Sequence, residues 1–527
     1  MKKILALITL LSLVTGVFYG CSDKKNETVD GTKIALSDSG ITVDGKDITN
    51  DTLQAVYSAN DIVYYEEGHD FTYGEGDEND SHSESAAKAH TVVHITKAGN
   101  YIISGKLSKG QIAVDLGEDA KESPDAVVTL TLDNADITCE VAPAVIFYSV
   151  YECGTTDEDS ATKDVDTSKA GANIIIADGS ENNITGSYVA KIYKPDSIVF
   201  NEDKTEVEDA KKLHKYDGAF YSKMSMNING GEKGDGRLNL TAENEGLDSE
   251  LHLTINSGNI NIVSGNDGIN TNEDNISVTT INGGTVSILA DGGTGEGDGI
   301  DSNGWLVING GTVFAQGCGI SGDAGIDSDK GIHLNGGTVF ATGNMLDRIS
   351  ESKQNFTVFS FAQAQDKGTY TLKNSKNAII SENSVENKFT YLVLSSPELT
   401  EGDYTLWNGE TQLQGTKGQS GMGGGHPMQE PSEGFSRPED FSRPEGFTLP
   451  EGMIRPEKPD DRTFPEGTTP PDDMPARGER PEGEEPPSTP DGVQPPDGNP
   501  QDFTGKISET FTITDGANYF SSVSAIK

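Results

Sequence analysis

Four short segments of this chain share a pattern: an acidic residue or Ala, then a glycine, an aliphatic residue, and an Asp or Asn. The segments are 245–248, 267–270, 298–301 and 324–327. Carboxylates that recur in this way could bind a cation, because Ca²⁺ takes six to eight oxygen ligands from carboxylates and carbonyls. The predicted metal ligands are Asp248, Asp267, Asp298, Asp301, Asp323 and Asp327. The predicted cofactor is therefore Ca²⁺.

The calcium prediction depends on these segments being stacked on one another. In a parallel stack, equivalent residues lie about 4.8 Å apart, so Asp301 would lie beside Asp327, with Asp248 and Asn270 in the same column. Glu245 would join a second acidic edge nearby. Like charges at that separation are unfavourable unless a cation or a proton lies between them. The alternative is an acidic ridge that points outward into solvent and only aids solubility.

A second motif predicts how the segments are stacked. An aliphatic residue followed by Asn-Gly-Gly, or once by Asn-Ser-Gly, recurs through the same part of the chain. The motifs begin at Asn229, Asn256, Asn282, Asn309 and Asn335, at intervals of 27, 26, 27 and 26 residues. Aliphatic and polar residues alternate beyond the motifs, which is typical of strands with one buried face. The aliphatic residues before the motifs should form one interior column of Ile228, Ile255, Ile281, Ile308 and Leu334.

These repeats predict an all-β fold, a right-handed parallel β-helix of the solenoid type. The intervals leave no room for a crossover helix, and crossovers between parallel strands are right-handed in nearly all proteins. Prolines followed by Glu recur every six residues from Pro438 to Pro456, which indicates a disordered segment. The predicted regions are 1–20 (signal peptide), 21–89 (lipoprotein tether and N-terminal cap region), 90–414 (parallel β-helix), 415–504 (disordered Gly/Pro/Glu-rich segment) and 505–527 (C-terminal strand).

The first residues indicate export from the cell. Lys2 and Lys3 precede an apolar run that ends at Gly20-Cys21, as in a bacterial secretory signal. A Cys directly after the cleavage point predicts a lipid attachment at Cys21, which would anchor the protein to the bacterial cell envelope, facing outward. The alternative is a plain signal peptide in which this Cys falls by chance. The other cysteines are Cys139, Cys153 and Cys318, so at most one disulfide can form, with Cys139–Cys153 as the local pair. We expect packed free thiols instead.

Charge and composition exclude two further classes of protein. The chain of 527 residues has a formal net charge of −46, which repels phosphate backbones and excludes nucleic acid as a partner. Only 33 % of its residues are hydrophobic, so the chain is not a polytopic membrane protein. The membrane contact that we expect is the lipid anchor alone.

As a set, these motifs resemble a bacterial family of carbohydrate-binding parallel β-helix proteins of the clostridial cellulose- and pectin-binding type. The resemblance covers roughly residues 90–410 and includes the segments 95–101, 130–134 and 217–223, which read Ile-Thr-Lys-Ala-Gly-Asn-Tyr, Leu-Thr-Leu-Asp-Asn and Asp-Gly-Ala-Phe-Tyr-Ser-Lys. It implies a fold similar to that of pectate lyases, calcium binding, and association with cellulose or acidic pectin.

Aromatic residues are the natural contacts for sugar rings. Phe314 and Phe340 both lie five residues beyond an Asn of the repeat, and Trp305 is close to them in sequence. We predict that these three residues bind carbohydrate. The alternative is that the C-terminal strands cover them. Basic residues that could contact an acidic sugar are Lys223, Arg237 and Lys330.

The predicted function is calcium-dependent binding of a plant cell-wall or similar polysaccharide at the bacterial surface, by a monomer without catalytic residues. One alternative is a structural surface adhesin without sugar specificity. Another is a pectate-lyase-like enzyme, in which Lys330 would remove a proton from a uronate held by calcium near Asp327.

Overall fold

Strands dominate the computed structural model, which describes residues 30–77, 79–201, 203–418 and 506–526. Helix in these residues is limited to the short α-helix Glu84–Lys88 and to the 3-10 turns Glu118–Glu122, Glu158–Ser160 and Pro195–Ser197. The all-β prediction is confirmed. No helix in this part of the chain has the length and apolar character needed to cross a membrane. The signal peptide, Cys21 and nearly all of the predicted segment 415–504 lie outside the described residues.

Three ladders of mostly parallel strands form the body of the fold. The first ladder contains Gly99–Leu107, Val128–Thr138, Ala172–Ile176, Met226–Gly230, His252–Ile255, Val278–Ile281, Trp305–Ile308, Gly331–Leu334 and Ile349–Ser352. The second continues from the end of Val128–Thr138 through Glu181–Gly186, Arg237–Ala242, Asn259–Ser264, Thr285–Ala290, Thr312–Gln316 and Thr338–Gly343. The third contains Thr91–Ile95, Gly110–Asp115, Val145–Ser149, Gly218–Ser222, Glu245–Ser249, Ile269–Thr271 and Ile300–Ser302, with Val56–Ala59 antiparallel at its edge.

The predicted interior column is present in the first ladder. Its five members pair in register from one strand to the next, and each is fully buried: Ile228, Ile255, Ile281, Ile308 and Leu334. Burying a side chain of this size contributes about 1.5–3 kcal/mol relative to leaving it exposed. The spacing of the motif therefore reflects the alignment of aliphatic residues between repeats.

The asparagines of the motif form a hydrogen-bonded ladder along the surface. Each side-chain amide donates from Nδ2 to Oδ1 of the Asn in the preceding repeat, at 2.8–3.0 Å, from Asn256 to Asn229 and onward to Asn335. In the four motifs that begin at Asn256, Asn282, Asn309 and Asn335, the last Gly has a positive φ, for example +84° at Gly284 and +79° at Gly311, which favours glycine. Ser257 occupies the middle position of one copy, where positive φ is not required.

Regular structure begins earlier than predicted. Thr32–Leu36 pairs in parallel with Gly99–Leu107 and antiparallel with Thr42–Val43, which in turn pairs with Lys46–Asp47. The predicted start of the repeat domain at residue 90 therefore misses strands that extend the first ladder. The signal was weak because these strands carry no Asn-Gly-Gly motif.

The opposite end is closed by strands that are mostly antiparallel. They are Phe356–Gln365, Gly368–Asn374, Ile379–Val385, Phe389–Ser395, Gly402–Asn408, Thr411–Lys417, Phe511–Ile513 and Ala517–Ala525. The predicted boundary at residue 414 is therefore three residues early, and the C-terminal region contains two strands rather than one. Gly415 and Ser508 form a mutual backbone bridge, so the chain leaves this end of the fold and returns to it at the same point.

Two further local features complete the described fold. A separate hairpin, Val199–Phe200 with Val207–Asp209, lies in one of the polar insertions. Cys139, Cys153 and Cys318 carry free thiols, as expected from their odd number.

The asparagine ladder gives a direct test of its contribution to stability. Asn282→Ala removes two amide hydrogen bonds, whereas Asn335→Ala at the end of the ladder removes one. Each bond is worth about 0.5–1.5 kcal/mol, and less where water competes. We expect urea denaturation to show a free energy of unfolding lower by about 1 kcal/mol for Asn282→Ala and by about half of that for Asn335→Ala. Equal losses in the two variants would mean that only the turn preference of Asn matters.

Candidate metal centre

The third ladder places the acidic residues on one face by simple strand alternation. Leu247, Ile269 and Ile300 pair in register and are fully buried on the inner face. The next residues, Asp248, Asn270 and Asp301, therefore form a column on the opposite face. The amide of Asp327 donates to the carbonyl of Ile300 at 2.7 Å, which extends the column by one repeat. The predicted column of Asp248, Asn270, Asp301 and Asp327 is confirmed.

The glycine of the acidic motif allows neighbouring repeats to approach closely. A Cβ on Gly246 would lie 2.4 Å from the carbonyl oxygen of Gly268, and a Cβ on Gly268 would lie 2.6 Å from that of Gly299. None of these glycines has a positive φ. Their role is therefore close packing of backbones. A Cβ on Gly218 would likewise lie 2.5 Å from the Cβ of Asp248.

One group of carboxylates, the first acidic cluster, consists of Asp217, Glu245 and Asp248. One oxygen from each lies within 4.8 Å of the others. Asp248 is 0 % exposed and Glu245 7 %. The expectation that these acids point outward into solvent is therefore wrong for Asp248. The sequence did not reveal this burial because the covering residues come from other segments.

Hydrogen bonds satisfy only part of the first acidic cluster. Asn272 Nδ2 donates to Asp248 Oδ1 at 2.7 Å, and Asn270 Nδ2 donates to Glu245 Oε1 at 3.0 Å. The second oxygens, Glu245 Oε2 and Asp248 Oδ2, are buried without a hydrogen-bond partner in the described residues. Leaving a buried charged acceptor without a partner is costly. A cation, or a proton shared between two of the carboxyls, would supply the missing interaction.

A further group, the second acidic cluster, consists of Asp298, Asp301 and Asp327, again with oxygens within 4.8 Å of one another. Asp267 and Asp347 lie close enough to repel its members. Two carboxylates in and beside this cluster accept hydrogen bonds from the backbone. The amide of Asp298 donates to Asp267 Oδ1 at 2.6 Å, and the amide of Ala324 donates to Asp298 Oδ1. These bonds fix the carboxylates in place.

Burial raises the pKa values of both clusters, and mutual repulsion raises several of them further. Desolvation raises the pKa of Asp298 to about 9 and the pKa values of Asp301 and Asp327 to about 7. The pKa values of Glu245 and Asp248 lie well above their usual range for the same reasons. Among the described residues, no Lys, Arg or His forms an ion pair with these clusters. Full ionisation of the two clusters at neutral pH therefore needs a cation.

The predicted ligands are divided between the two clusters. Asp248 belongs to the first, while Asp298, Asp301 and Asp327 form the second. Asp267 borders the second cluster through its bond to the amide of Asp298. Asp323 instead accepts hydrogen bonds from the Gly297 amide, at 2.6 Å, and from the Ser321 hydroxyl.

Three residues were missing from the predicted ligand set. Glu245 had been placed on the neighbouring acidic edge, and Asp217 precedes a Gly as the other motif acids do. These two could have been found from the motif. Asp347 belongs to a segment that lacks the motif, yet it lies close enough to Asp327 to repel it. Only the fold reveals this position.

The predicted aromatic contacts do not form one exposed face. Phe340 is 2 % exposed and pairs with Leu394 of the antiparallel strand Phe389–Ser395, so its prediction as an outward-facing residue is wrong. Phe314 is half-buried and packs edge-to-face on Phe340 with ring centroids 5.4 Å apart. Trp305 is half-buried and lies in the first ladder, whereas the two Phe residues lie in the second. The C-terminal strands therefore cover Phe340, as the alternative predicted.

The repeats and acidic clusters lie within a region that matches a known protein family. Residues 89–412 match the family described as carbohydrate-binding domain-containing proteins. The match spans more than half of the chain, and the protein belongs to this family. Membership supports a general role in carbohydrate binding.

Comparison with individual proteins adds little to the family assignment. A solved structure described as the polysaccharide lyase-like protein from C. thermocellum is 21 % identical, with a TM-score of 0.32, and the comparison covers 59 % of this chain and 94 % of that one. A TM-score of this size carries no structural or functional argument. No curated protein gives a significant match.

The raised pKa values predict how the stability of the metal-free protein depends on pH. The unfolded chain releases aspartate protons near pH 4, whereas the folded state retains them up to pH 7–9 at Asp298, Asp301 and Asp327. The folded state then binds more protons, so the stability that these groups contribute is lost as pH rises through that range. We expect the melting temperature in EDTA to fall between pH 6.5 and 8.5.

Between pH 6.5 and 8.5, the buried histidines with lowered pKa values do not oppose the expected fall in stability. Burial lowers the pKa of His252 to about 4, and burial also lowers the pKa values of His90 and His214, so these residues act mainly below pH 6.5. Asp298→Asn should make the fall in melting temperature smaller, since the Asn oxygen can still accept the bond from Ala324. A melting temperature that is constant or rises across the window would contradict the prediction.

Proposed function

We propose that this protein is a calcium-dependent carbohydrate-binding protein, in which the two acidic clusters hold Ca²⁺. The observation that carries the proposal is the pair of buried oxygens without hydrogen-bond partners, Glu245 Oε2 and Asp248 Oδ2, in a cluster without a basic counter-charge among the described residues. All donors at the clusters are oxygens, which suits a hard cation that tolerates flexible coordination. In this proposal, residues of both clusters hold the ion and the bound ion supplies positive charge for sugar oxygens.

The three ladders support a proposed architecture in which they form the sides of a right-handed parallel β-helix. Equivalent strands pair in register at the intervals of the sequence repeat, and the aliphatic residues of the first and third ladders are buried. The handedness is proposed from the strong general preference of parallel crossovers. The helix axis would then run along the columns of equivalent residues.

The proposed ligand is a plant cell-wall or similar polysaccharide, either acidic pectin or cellulose. We further propose that the protein is a monomer, secreted and held at the outer face of the bacterial cell envelope by a lipid on Cys21. The support for the anchor is the sequence of the first 21 residues. The support for the sugar is family membership, together with the resemblance of the motifs.

Calcium removal should destabilise the protein at neutral pH. A ligand present at a hundred times its dissociation constant stabilises the folded state by about 2.7 kcal/mol, so EDTA should lower the melting temperature and calcium should restore it. Magnesium should restore it poorly, because it requires stricter octahedral geometry. Asp301→Asn should reduce the calcium response without changing the β-rich circular dichroism. If sodium at matched ionic strength restores stability equally well, simple screening explains the effect.

The function is tested by binding to polysaccharides with and without calcium. Affinity electrophoresis or calorimetry with polygalacturonate and with soluble cellulose oligomers should show binding in calcium and a loss of at least tenfold in EDTA. Absorbance of unsaturated uronides, followed over time in the same mixtures, should not rise. Binding that is unaffected by EDTA would contradict the calcium proposal, and rising absorbance would identify a lyase.

A further inference from the structure

A second column of side chains runs beside the acidic column on the outer face of the third ladder. Each residue of this column lies two positions after a residue of the column that contains Ile146, Tyr221, Asp248, Asn270 and Asp301. In the last four cases the backbone amide donates to a carbonyl of the preceding repeat, for example from Lys223 to Phe147 at 2.9 Å and from Glu250 to Ser222 at 2.9 Å. This outer column consists of Tyr148, Lys223, Glu250, Asn272 and Asn303.

The outer column is accessible where the acidic column is largely buried. Lys223 is exposed and the other four residues are half-buried, whereas Asp248 is fully buried. Its side chains offer an aromatic ring, a cation, a carboxylate and two amides at successive repeats, about 4.8 Å apart along the ladder. These are the groups that contact the apolar face, carboxylates and hydroxyls of a sugar chain.

Packing beneath the outer column holds its aromatic end in place. The ring of Tyr216 lies 5.4 Å from that of Tyr148 and 5.2 Å from that of Tyr221, and Tyr216 is 8 % exposed. The hydroxyl of Tyr221 donates to Glu250. Asn272 Nδ2 donates to Asp248 Oδ1 at 2.7 Å, so the outer column contacts the first acidic cluster directly.

Lys223 is the single cation of the outer column. Its ammonium lies 5.4 Å from the centroid of the Tyr216 ring and 3.4 Å from the Tyr216 hydroxyl. No carboxylate of the described residues lies within ion-pair distance of it, although acids are abundant on the same face. An exposed cation without an acidic partner can accept a carboxylate from a ligand.

We propose that the outer column is the track along which a polysaccharide chain lies, and that Lys223 contacts a carboxylate of an acidic sugar in that chain. The chain would run along the ladder, with Tyr148 against a sugar ring and the acidic clusters beside it. This assignment rests on the proposed calcium-dependent binding. In it, Tyr148 takes the place of Phe340 as the aromatic contact. It makes Lys223 a residue that selects acidic chains over neutral ones.

The test compares Lys223→Met with Lys376→Met, since both remove one exposed charge but Lys376 lies in the turn between Gly368–Asn374 and Ile379–Val385, outside the third ladder. Binding to polygalacturonate is measured by calorimetry in saturating calcium at fixed ionic strength. We expect Lys223→Met to weaken binding about tenfold, which is the effect of losing one charged hydrogen bond. Lys223→Arg and Lys376→Met should bind as the wild type does, and Tyr148→Ala should bind several-fold more weakly.

Calcium uptake and circular dichroism of each variant show that the fold and the ion sites are intact. Binding by Lys223→Met that equals the wild type would overturn the track while leaving the proposed function in place. Equal weakening in Lys223→Met and Lys376→Met would also overturn it, because net charge alone would then explain both. Wild-type protein that binds no polygalacturonate in calcium would overturn the proposed function and the track together.

Discussion

In-register stacking of parallel strands is the constraint on which the rest of this structure depends. Each side chain lies next to the side chain at the equivalent position of the next repeat. The residues at equivalent positions must therefore be able to interact favourably with one another. Aliphatic residues such as Ile255 and Ile281 do so by packing, and Asn256 and Asn282 do so because an amide both donates and accepts. Aspartate is the exception, since two carboxylates in that relation repel one another.

The acidic clusters are the part of the fold where stacking brings carboxylates together. Glycines bring the backbones of neighbouring repeats close together, and Asp248 is buried with Glu245 and Asp217. The folded state then holds carboxylates that cannot all ionise unaided. Structural roles explain part of the arrangement, since Asp267 and Asp298 bond to backbone amides. They supply no donor to Glu245 Oε2 and Asp248 Oδ2, the two oxygens on which the calcium proposal depends.

The sequence predicted those features that repeat and missed those made by distant segments. The spacing of Asn-Gly-Gly was sufficient to predict the column from Ile228 to Leu334, because in-register pairing converts a period into a contact. The burial of Asp248 could not be read from its own motif. In the alternation along its own strand, Phe340 occupies a position that would be exposed. The strand Phe389–Ser395, some fifty residues later in the chain, covers it. The glycines of the acidic motif permit a close approach between backbones, and this role depends on the neighbouring repeat and cannot be read from the motif alone.

The bridge between Gly415 and Ser508 brings together two points of the chain that lie far apart in sequence. The cap is completed by strands on both sides of this point, so folding of the cap does not require any particular chain between residues 418 and 506. The entropic cost of closing a connection rises slowly with its length, by about 0.6 kcal/mol for each doubling. This position is therefore a tolerant insertion point, at which the length and composition of the connection can change while the strands on either side keep their pairing.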